Sequence, residues 1–270
     1  DMINFRNNNL TFSKEDKVNL FSNYIEVTTE MGNCLFYLSP DDTFSFRSSF
    51  ISSFPYDMMV LLNKDSYNKI LDSLREGASI SVNIPFSAEE KEISNIVGVI
   101  KGTSSSIPPL VLTAHFDHLG KDALKNLYGG ALDNASGTSF LLELQRSLST
   151  YGKPKRDIIF VALNAEEFGL LGSKSFAEKN LDKLKDAEVI NFDMIGSEEF
   201  PLTLMLGTAY KDKDSKLLKS IEKAAKSNNV DTVVKYENSS DHASFNDLGI
   251  DALSFCHADV SKIHTPNDKV

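Results

Sequence analysis

The stretch Leu110-Val-Leu-Thr-Ala-His-Phe-Asp-His-Leu-Gly120 decides the fold of this chain of 270 residues. Residues 110–114 are apolar or β-branched and predict a buried strand. Three side chains that can bind metals follow at once, His115, Asp117 and His118. In open α/β sheets, the carboxyl ends of the strands form the ligand-binding crevice. The stretch therefore predicts a strand of such a sheet and a functional site at its end.

The same order, an apolar strand followed by polar side chains, recurs further along the chain. The two further examples are the strand at 158–163 with Glu166 and Glu167, and the strand at 189–192 with Asp193. Asp133 precedes a helix that helical spacing of apolar residues predicts at 138–148. Strands and helices alternate throughout this region, which predicts an α/β fold with a mainly parallel twisted sheet between helices.

The chain divides into two regions of different composition. All five histidines lie between His115 and His264, so residues 1–92 lack them. The first region predicts a small α/β or β-rich unit, with a strand at 58–62 and a helix capped by Asp65 or Ser66. We therefore expect an N-terminal region at 1–92 and a catalytic domain at 93–270.

Charge and hydropathy exclude several classes of partner. The net charge is −10 and the pI is near 5.0, which argues against nucleic acid or an anionic membrane as the main partner. The sequence contains no run of 18 apolar residues and no visible signal peptide, so we expect no transmembrane segment. Its two cysteines do not form a C-x-x-C pair, so a metal site would use histidine and carboxylates.

The side chains at the strand ends supply the ligand types that a two-metal site requires. Carboxylate oxygens together with imidazole nitrogens suit zinc, with manganese or cobalt as possible substitutes. Two metals about 3.5–4 Å apart need a shared carboxylate, and each needs one histidine and one further carboxylate. The candidate ligands are His115, Asp133, Glu167, Asp193 and His264. Glu166 is left over, and a free carboxylate beside a metal suits a general base.

From Asn95 to its end, the chain resembles the M28 family of zinc aminopeptidases. Six motifs in the family's order carry the resemblance. They are A-H-F-D-H-L-G (114–120), G-A-L-D-N-A-S-G (130–137), N-A-E-E-F-G-L-L-G-S (164–173), I-N-F-D-M-I-G (190–196), S-S-D-H-A-S-F (239–245) and I-H-T-P-N-D (263–268). Each motif alone is weak, but six in order are specific.

The resemblance implies two zinc ions and a role for each site residue. Asp133 is the bridging carboxylate, and the bond that follows it, Asp133–Asn134, is cis. Glu166 is the general base that acts on the water between the metals, and Asp117 hydrogen-bonds the far ring nitrogen of His115. The terminal ligands are His115, Glu167, Asp193 and His264. His118, Asp241 and His242 belong to the motifs with structural roles.

The resemblance also implies a substrate and a location, and the chain departs from the family in two places. The implied substrates are peptides with a free N-terminus, and the implied location is secreted or in the cell envelope. Asn238 and Ile263 stand where several members place a tyrosine that steadies the oxyanion. Relatives continue beyond the last histidine, so we expect the catalytic domain to lack its final helix. The first region resembles the tail of a protease-associated domain, a β-rich lid, through residues 80–84 and 93–97, and a family-specific N-terminal extension is the alternative.

Two other functions fit the same fold. A glutaminyl-cyclase-like acyltransferase uses one zinc and does not keep the first histidine ligand, whereas His115 is present here. A carboxypeptidase of the same superfamily is a further enzyme option. A non-catalytic receptor or binding module would typically have lost ligands, and here the set is complete. Thermolysin-like and serine-hydrolase chemistry are excluded because neither H-E-x-x-H nor G-x-S-x-G occurs.

Overall fold

The computed structural model describes residues 2–5, 9–13, 15–30, 32–39, 56–83, 91–121, 125–198 and 200–270. The chain forms two compact units, Asp1–Lys91 and Glu92–Val270. This division lies one residue from the boundary that the sequence suggested. Assigning the first unit to the protease-associated class stays a prediction, and Ile84, one of the residues behind it, lies outside the described residues.

The described part of the N-terminal unit is rich in strands and contains one helix of twelve residues. Its elements are β1 (Met2–Phe5), β2 (Asn9–Phe12), β3 (Lys17–Leu20), β4 (Tyr24–Thr29), β5 (Gly32–Leu38), β6 (Met58–Leu62), α1 (Lys64–Arg75) and β7 (Ile80–Asn83). Five strands form a sheet in the order β1-β6-β5-β4-β3, and β2 pairs with β7. The core contains Phe12, Ile25, Phe36 and Met58.

The predicted cap of α1 was wrong. Asn63, not Asp65 or Ser66, is the N-cap, and its Oδ1 accepts a hydrogen bond from the backbone N–H of Ser66 at 2.9 Å. Asn63 has the extended backbone that a cap requires. Asp65 lies in the first turn, where its negative charge interacts favourably with the positive end of the helix dipole.

The C-terminal unit contains a sheet of seven strands with helices on both faces. Its strands are β8 (Ile96–Ile100), β9 (Leu110–His115), β10 (Gly120–Lys121), β11 (Leu127–Tyr128), β12 (Ile158–Leu163), β13 (Glu188–Phe192), β14 (Leu202–Leu206), β15 (Thr232–Tyr236) and β16 (Asp251–His257). Its helices are α2 (Gly137–Thr150), α3 (Leu171–Lys179), α4 (Leu181–Leu184), α5 (Lys216–Ser227) and α6 (His242–Asp247). The small pair β10-β11 stands apart from the sheet.

The large sheet has the strand order β15-β14-β16-β13-β9-β12-β8. Neighbours run parallel except for the pairs β8–β12 and β14–β16, so the predicted mainly parallel sheet is confirmed. One face packs on α2 and α5 through a core that includes Leu141 and Leu217, and the other includes Ala177 of α3 and Phe245 of α6. Covering both faces explains why the residues of β9 from Val111 to His115 are all buried rather than alternately exposed.

Among the described helices, none combines the length and apolar composition needed to cross a membrane.

Candidate metal centre

Three neighbouring parallel strands bring the predicted site residues to one edge of the sheet. β9 lies between β12 and β13, and it ends at His115, which is level with Leu163, the last residue of β12. The loop after β12 carries Glu166 and Glu167, and Asp193 directly follows β13. Carboxyl ends of parallel strands meet at one edge, so these side chains lie together at that edge of the sheet.

His115, Asp133 and Asp193 form the first cluster of possible metal ligands. Nε2 of His115 lies 3.3 Å from Oδ1 of Asp133 and 3.4 Å from Oδ1 of Asp193. All three side chains are buried. Nε2 of His115 and Oδ1 of Asp193 have no hydrogen-bond partner among the described groups, which is costly for buried polar atoms unless something else occupies the space between them.

His264, Asp133 and Glu167 form the second cluster. Nε2 of His264 lies 3.2 Å from Oδ2 of Asp133 and 2.9 Å from Oε2 of Glu167. Asp133 therefore presents one oxygen to each cluster. Ligand atoms about 2.0–2.2 Å from a tetrahedral zinc ion lie roughly 3.3 Å apart, which is close to the separations in both clusters. The donor types and their spacing fit zinc.

The turn that carries Asp133 is held by Asp268. The carboxylate of Asp268 accepts hydrogen bonds from the backbone N–H of Leu132 at 2.7 Å and of Asp133 at 3.0 Å. The Asp133–Asn134 peptide bond is cis, as the resemblance implied. Asp268 is 3% exposed and follows His264 by four residues, so it ties the segment of one candidate ligand to the backbone of another.

Asn134 connects the same turn to β13. Its Nδ2 donates to the carbonyl of Phe192 at 2.9 Å, and its Oδ1 accepts from the N–H of Gly137 at 3.0 Å and of Met194 at 3.2 Å. Met194 has a φ of 54°, in the left-handed region that is uncommon for residues other than glycine. These bonds fix the position of Asp133 relative to Asp193.

Asp117 differs from the expectation. Its nearest carboxylate oxygen lies 3.7 Å from Nδ1 of His115, beyond hydrogen-bond range, and the nearer acceptor is the backbone carbonyl of Asp117 at 3.2 Å. The carboxylate instead accepts hydrogen bonds from the backbone N–H of Glu166 at 3.1 Å and of Glu167 at 3.2 Å. Asp117 thus holds the loop of the predicted base and of a predicted ligand.

Glu166 lines a cavity of about 350 Å³ together with Asp133, Asp193 and His264. Burial raises the pKa of the Glu166 carboxyl well above its ordinary value, and the negative charges of Asp193, Asp241 and Glu167 raise it further. Cations bound beside these carboxylates would offset that repulsion. A carboxylate in this position can accept a proton from a molecule held in the cavity.

The rest of the cavity lining mixes apolar and polar side chains, and it includes the charged residues Lys235 and Glu237. Its apolar side chains are Met194, Met205, Ala258, Val260 and Ile263. Ile263 lines the cavity, so one of the two positions without tyrosine faces the site. Asn238 is not among the lining residues, and its Oδ1 accepts a hydrogen bond from the N–H of Thr208 at 2.8 Å.

The motif residues with expected structural roles lie around the centre. His118 contacts Glu167, with Nδ1 2.7 Å from Oε1. Nε2 of His242 lies 2.9 Å from the carbonyl of Glu237, and Asp241 is fully buried.

Sequence reasoning missed Ser240 and Asp268, which contact candidate ligands. Ser240 donates to Oδ2 of Asp193 at 2.6 Å. Both residues stand inside quoted motifs, at 239–245 and 263–268, so their position in the motifs was the available signal.

Comparison with known proteins agrees with this geometry. Residues 95–270 match the model of Peptidase family M28. The chain is 33% identical over 186 residues to Aminopeptidase YwaD of Bacillus subtilis, which covers 65% of this chain and 39% of that protein. The chain spans less than half the length of the curated relatives it matches.

Solved structures share the fold. BSAP, a zinc aminopeptidase from Bacillus subtilis, superposes with a TM-score of 0.61 at 27% identity, over 78% of this chain and 52% of that chain. A glutaminyl cyclase from an Acidobacteriales bacterium superposes with a TM-score of 0.53 at 22% identity, over 65% of each chain. The second likeness shows the fold alone.

Proposed function

The chain belongs to peptidase family M28, and from this premise we propose that it is an aminopeptidase that removes the N-terminal residue of peptides at a centre of two zinc ions. One observation carries the proposal. Oδ1 of Asp133 faces the pair His115 and Asp193, and Oδ2 of Asp133 faces the pair His264 and Glu167. A carboxylate between two such sets is the arrangement that a pair of cations requires.

Each zinc ion has three candidate ligands in this proposal. His115 and Asp193 would hold one ion and His264 and Glu167 would hold the other, with Asp133 offering one oxygen to each. Zinc supplies Lewis-acid chemistry, since it polarises a carbonyl and makes water more acidic. The loop that carries Glu166 is fixed through Asp117, which keeps the Glu166 carboxylate at the cavity beside both sets.

Glu166 is the general base. Its carboxylate accepts a proton from the attacking water and then delivers that proton to the leaving amine, which requires a group in reach of both. It lines the cavity together with Asp133, Asp193 and His264, which places its carboxylate beside both sets of candidate ligands. The raised pKa of Glu166 agrees with a group that exchanges protons.

The cavity provides for the first residue of the peptide. Met194, Met205 and Val260 form an apolar surface for its side chain, and Glu166 and Asp193 provide negative charge for its ammonium group. Relatives named as aminopeptidases support the same substrate class. A secreted or cell-envelope location remains part of the proposal and rests on the family resemblance.

A glutaminyl-cyclase-like reaction is the second candidate, because a cyclase shares the fold. That branch uses a single zinc ion. Both clusters here have a histidine, a carboxylate and a share of Asp133, which favours two ions over one.

Metal content and a base variant test the proposal together. We expect two zinc ions per chain, release of the first residue from aminoacyl-nitroanilides, and loss of activity by several orders of magnitude in Glu166→Gln with zinc retained. Glu222→Gln, an exposed residue of α5, is the control that keeps activity.

Each contrary result points to a specific alternative. Near-normal activity of Glu166→Gln would reject this base. One zinc per chain with cyclisation of N-terminal glutamine would establish the cyclase, and a chain that binds no zinc would be a non-catalytic module.

A further inference from the structure

His118 occupies a position that the proposed reaction does not use. It follows β9 by three residues, and its side chain is 11% exposed. Nδ1 lies 2.7 Å from Oε1 of Glu167, whose side chain is 2% exposed. A contact this short is a strong hydrogen bond, since one partner is a buried carboxylate.

The two oxygens of Glu167 face different histidines. Oε1 accepts from His118, and Oε2 lies 2.9 Å from Nε2 of His264 in the second cluster. A free carboxylate can rotate and offer either oxygen or both to a cation. With Oε1 held by an imidazole, Oε2 is the oxygen that faces the cluster.

The ring of His118 is itself held in place. A Cβ atom at Gly130 would lie 2.6 Å from Cγ of His118, so the ring packs directly on the turn that leads to Asp133. Gly130 has a φ of 63°, which also favours glycine at this position. Nε2 of His118 is buried without a hydrogen-bond partner among the described groups, so the contact with Glu167 is the ring's principal polar one.

The backbone and side chain of Glu167 are fixed by adjacent residues. Asp117 accepts the N–H of Glu167 at 3.2 Å, and His118 donates to its side chain at 2.7 Å. Asp117 thus fixes the position of the Glu167 backbone, and His118 fixes the orientation of its carboxylate.

We propose that His118 is a positioning residue: its Nδ1–H holds Oε1 of Glu167 so that Glu167 binds the zinc ion of the second cluster through Oε2 alone. The inference rests on the proposed function for the identity of the ion. Groups that orient metal ligands typically contribute 10–100-fold in metal affinity.

Two variants separate the hydrogen bond from the volume of the ring. His118→Leu keeps a similar bulk without a donor, whereas the Nδ2 of His118→Asn stands close to the position of Nδ1 and can donate to Oε1. His257→Leu is the matched control, because His257 accepts from Gly196 and does not line the cavity of the centre.

The measurement is a titration of zinc into metal-free protein against a chelator of known affinity, with kcat and KM measured on the loaded protein. In His118→Leu we expect two ions to bind, one of them about 10–100-fold more weakly, with kcat reduced and KM little changed. In His118→Asn we expect affinity within a few-fold of the wild type. His257→Leu should bind zinc like the wild type.

Three outcomes would overturn the inference. Unchanged affinity in a folded His118→Leu would leave the residue with a packing role only. Loss of one ion from both variants at saturating zinc would make His118 a ligand itself, an arrangement in reach because His118, Asp133 and Glu167 each offer a ligand atom within 4.8 Å of the others. Equal weakening in both variants would assign the effect to the ring and not to its donor.

Zinc binding and peptidase activity of the wild type distinguish a failure of this inference from a failure of the proposed function. Two bound ions without peptidase activity would reject the aminopeptidase proposal, while the affinity difference between the Leu and Asn variants would still decide the role of His118.

Discussion

Oγ of Ser240 donates a hydrogen bond to Oδ2 of Asp193 at 2.6 Å, and both side chains are buried. Nδ2 of Asn191 donates to Ser240 at 2.9 Å, and Thr113 of β9 donates to Oδ1 of Asn191 at 2.7 Å. A chain of buried hydrogen bonds therefore runs from the middle of the sheet to a candidate ligand, and it leaves Oδ1 of Asp193 directed at His115.

Ser240→Ala should weaken zinc binding in the cluster of His115, Asp133 and Asp193. Removing a hydroxyl that orients a ligand typically lowers metal affinity 10–100-fold, and a lost buried hydrogen bond costs about 1–3 kcal/mol. Zinc titration and urea unfolding measure the two effects. Ser244→Ala is the control, because Ser244 is buried and bonds Ser173 at 2.8 Å. The prediction fails if both variants bind zinc alike.

Asp117→Asn should lower kcat about 10–100-fold while the protein stays folded. The amide has only one oxygen, so it can accept the N–H of Glu166 or of Glu167 but not both, and its NH2 group would face the other N–H. Steady-state kinetics of the zinc-loaded protein measures this. Asp157→Asn is the matched control: its carboxylate also accepts a backbone N–H, that of Gly102 at 2.8 Å, but it precedes β12 at the end away from the site. Equal kcat in the two variants would contradict the role of Asp117.

Gly137→Ala should destabilise the fold by about 1–3 kcal/mol, since overpacking forces neighbouring atoms to shift. A Cβ at Gly137 would overlap the backbone carbonyl of Phe192 and Oδ1 of Asn134. Gly98→Ala is the comparison: no atom lies within 4 Å of its Cβ, and alanine there should add about 0.5–1 kcal/mol to the free energy of unfolding. Unfolding by urea measures the free energy of unfolding of both variants. If Gly137→Ala and Gly98→Ala change it by the same amount, the packing argument is refuted.

Asp241 should make the metal-free protein less stable as the pH rises. Burial raises the pKa of Asp241 to about 7, and the charges of Asp193 and Asp117 add to the shift, whereas its ordinary value is 3.8. Between these pH values the folded state holds a proton that the unfolded state has lost, so the free energy of unfolding falls through the window. The fall is roughly 4 kcal/mol at most.

Asp241→Asn stays neutral and should lack the part of this fall that Asp241 causes, while Glu166, whose pKa is also raised, still titrates in both proteins. Urea unfolding of both metal-free proteins between pH 4.5 and 8 gives the comparison, and parallel curves would show that Asp241 is ionised throughout.

The large sheet could be predicted in outline, but not all of its parts. The strands β9 and β12 are largely apolar, as at 110–114 and 158–163, because both of their faces are covered. The edge strand β15 contains Lys235 and Tyr236 and half-exposed positions, so it gives no such signal. The short helix α6 was missed because it buries polar residues such as His242 and Asn246, which hides the apolar period of a helix.

The sequence by itself determined which residue types meet at the edge of the sheet. Strand ends and motif order placed His115, Glu167 and Asp193 together, since parallel strands share their carboxyl edge. Only the tertiary structure decided the partners of these groups. Asp117 bonds backbone N–H groups about fifty residues away, and Asp268 bonds one 135 residues away. Such partners depend on the direction in which a folded loop turns its N–H groups, and that direction is a property of packing rather than of local sequence.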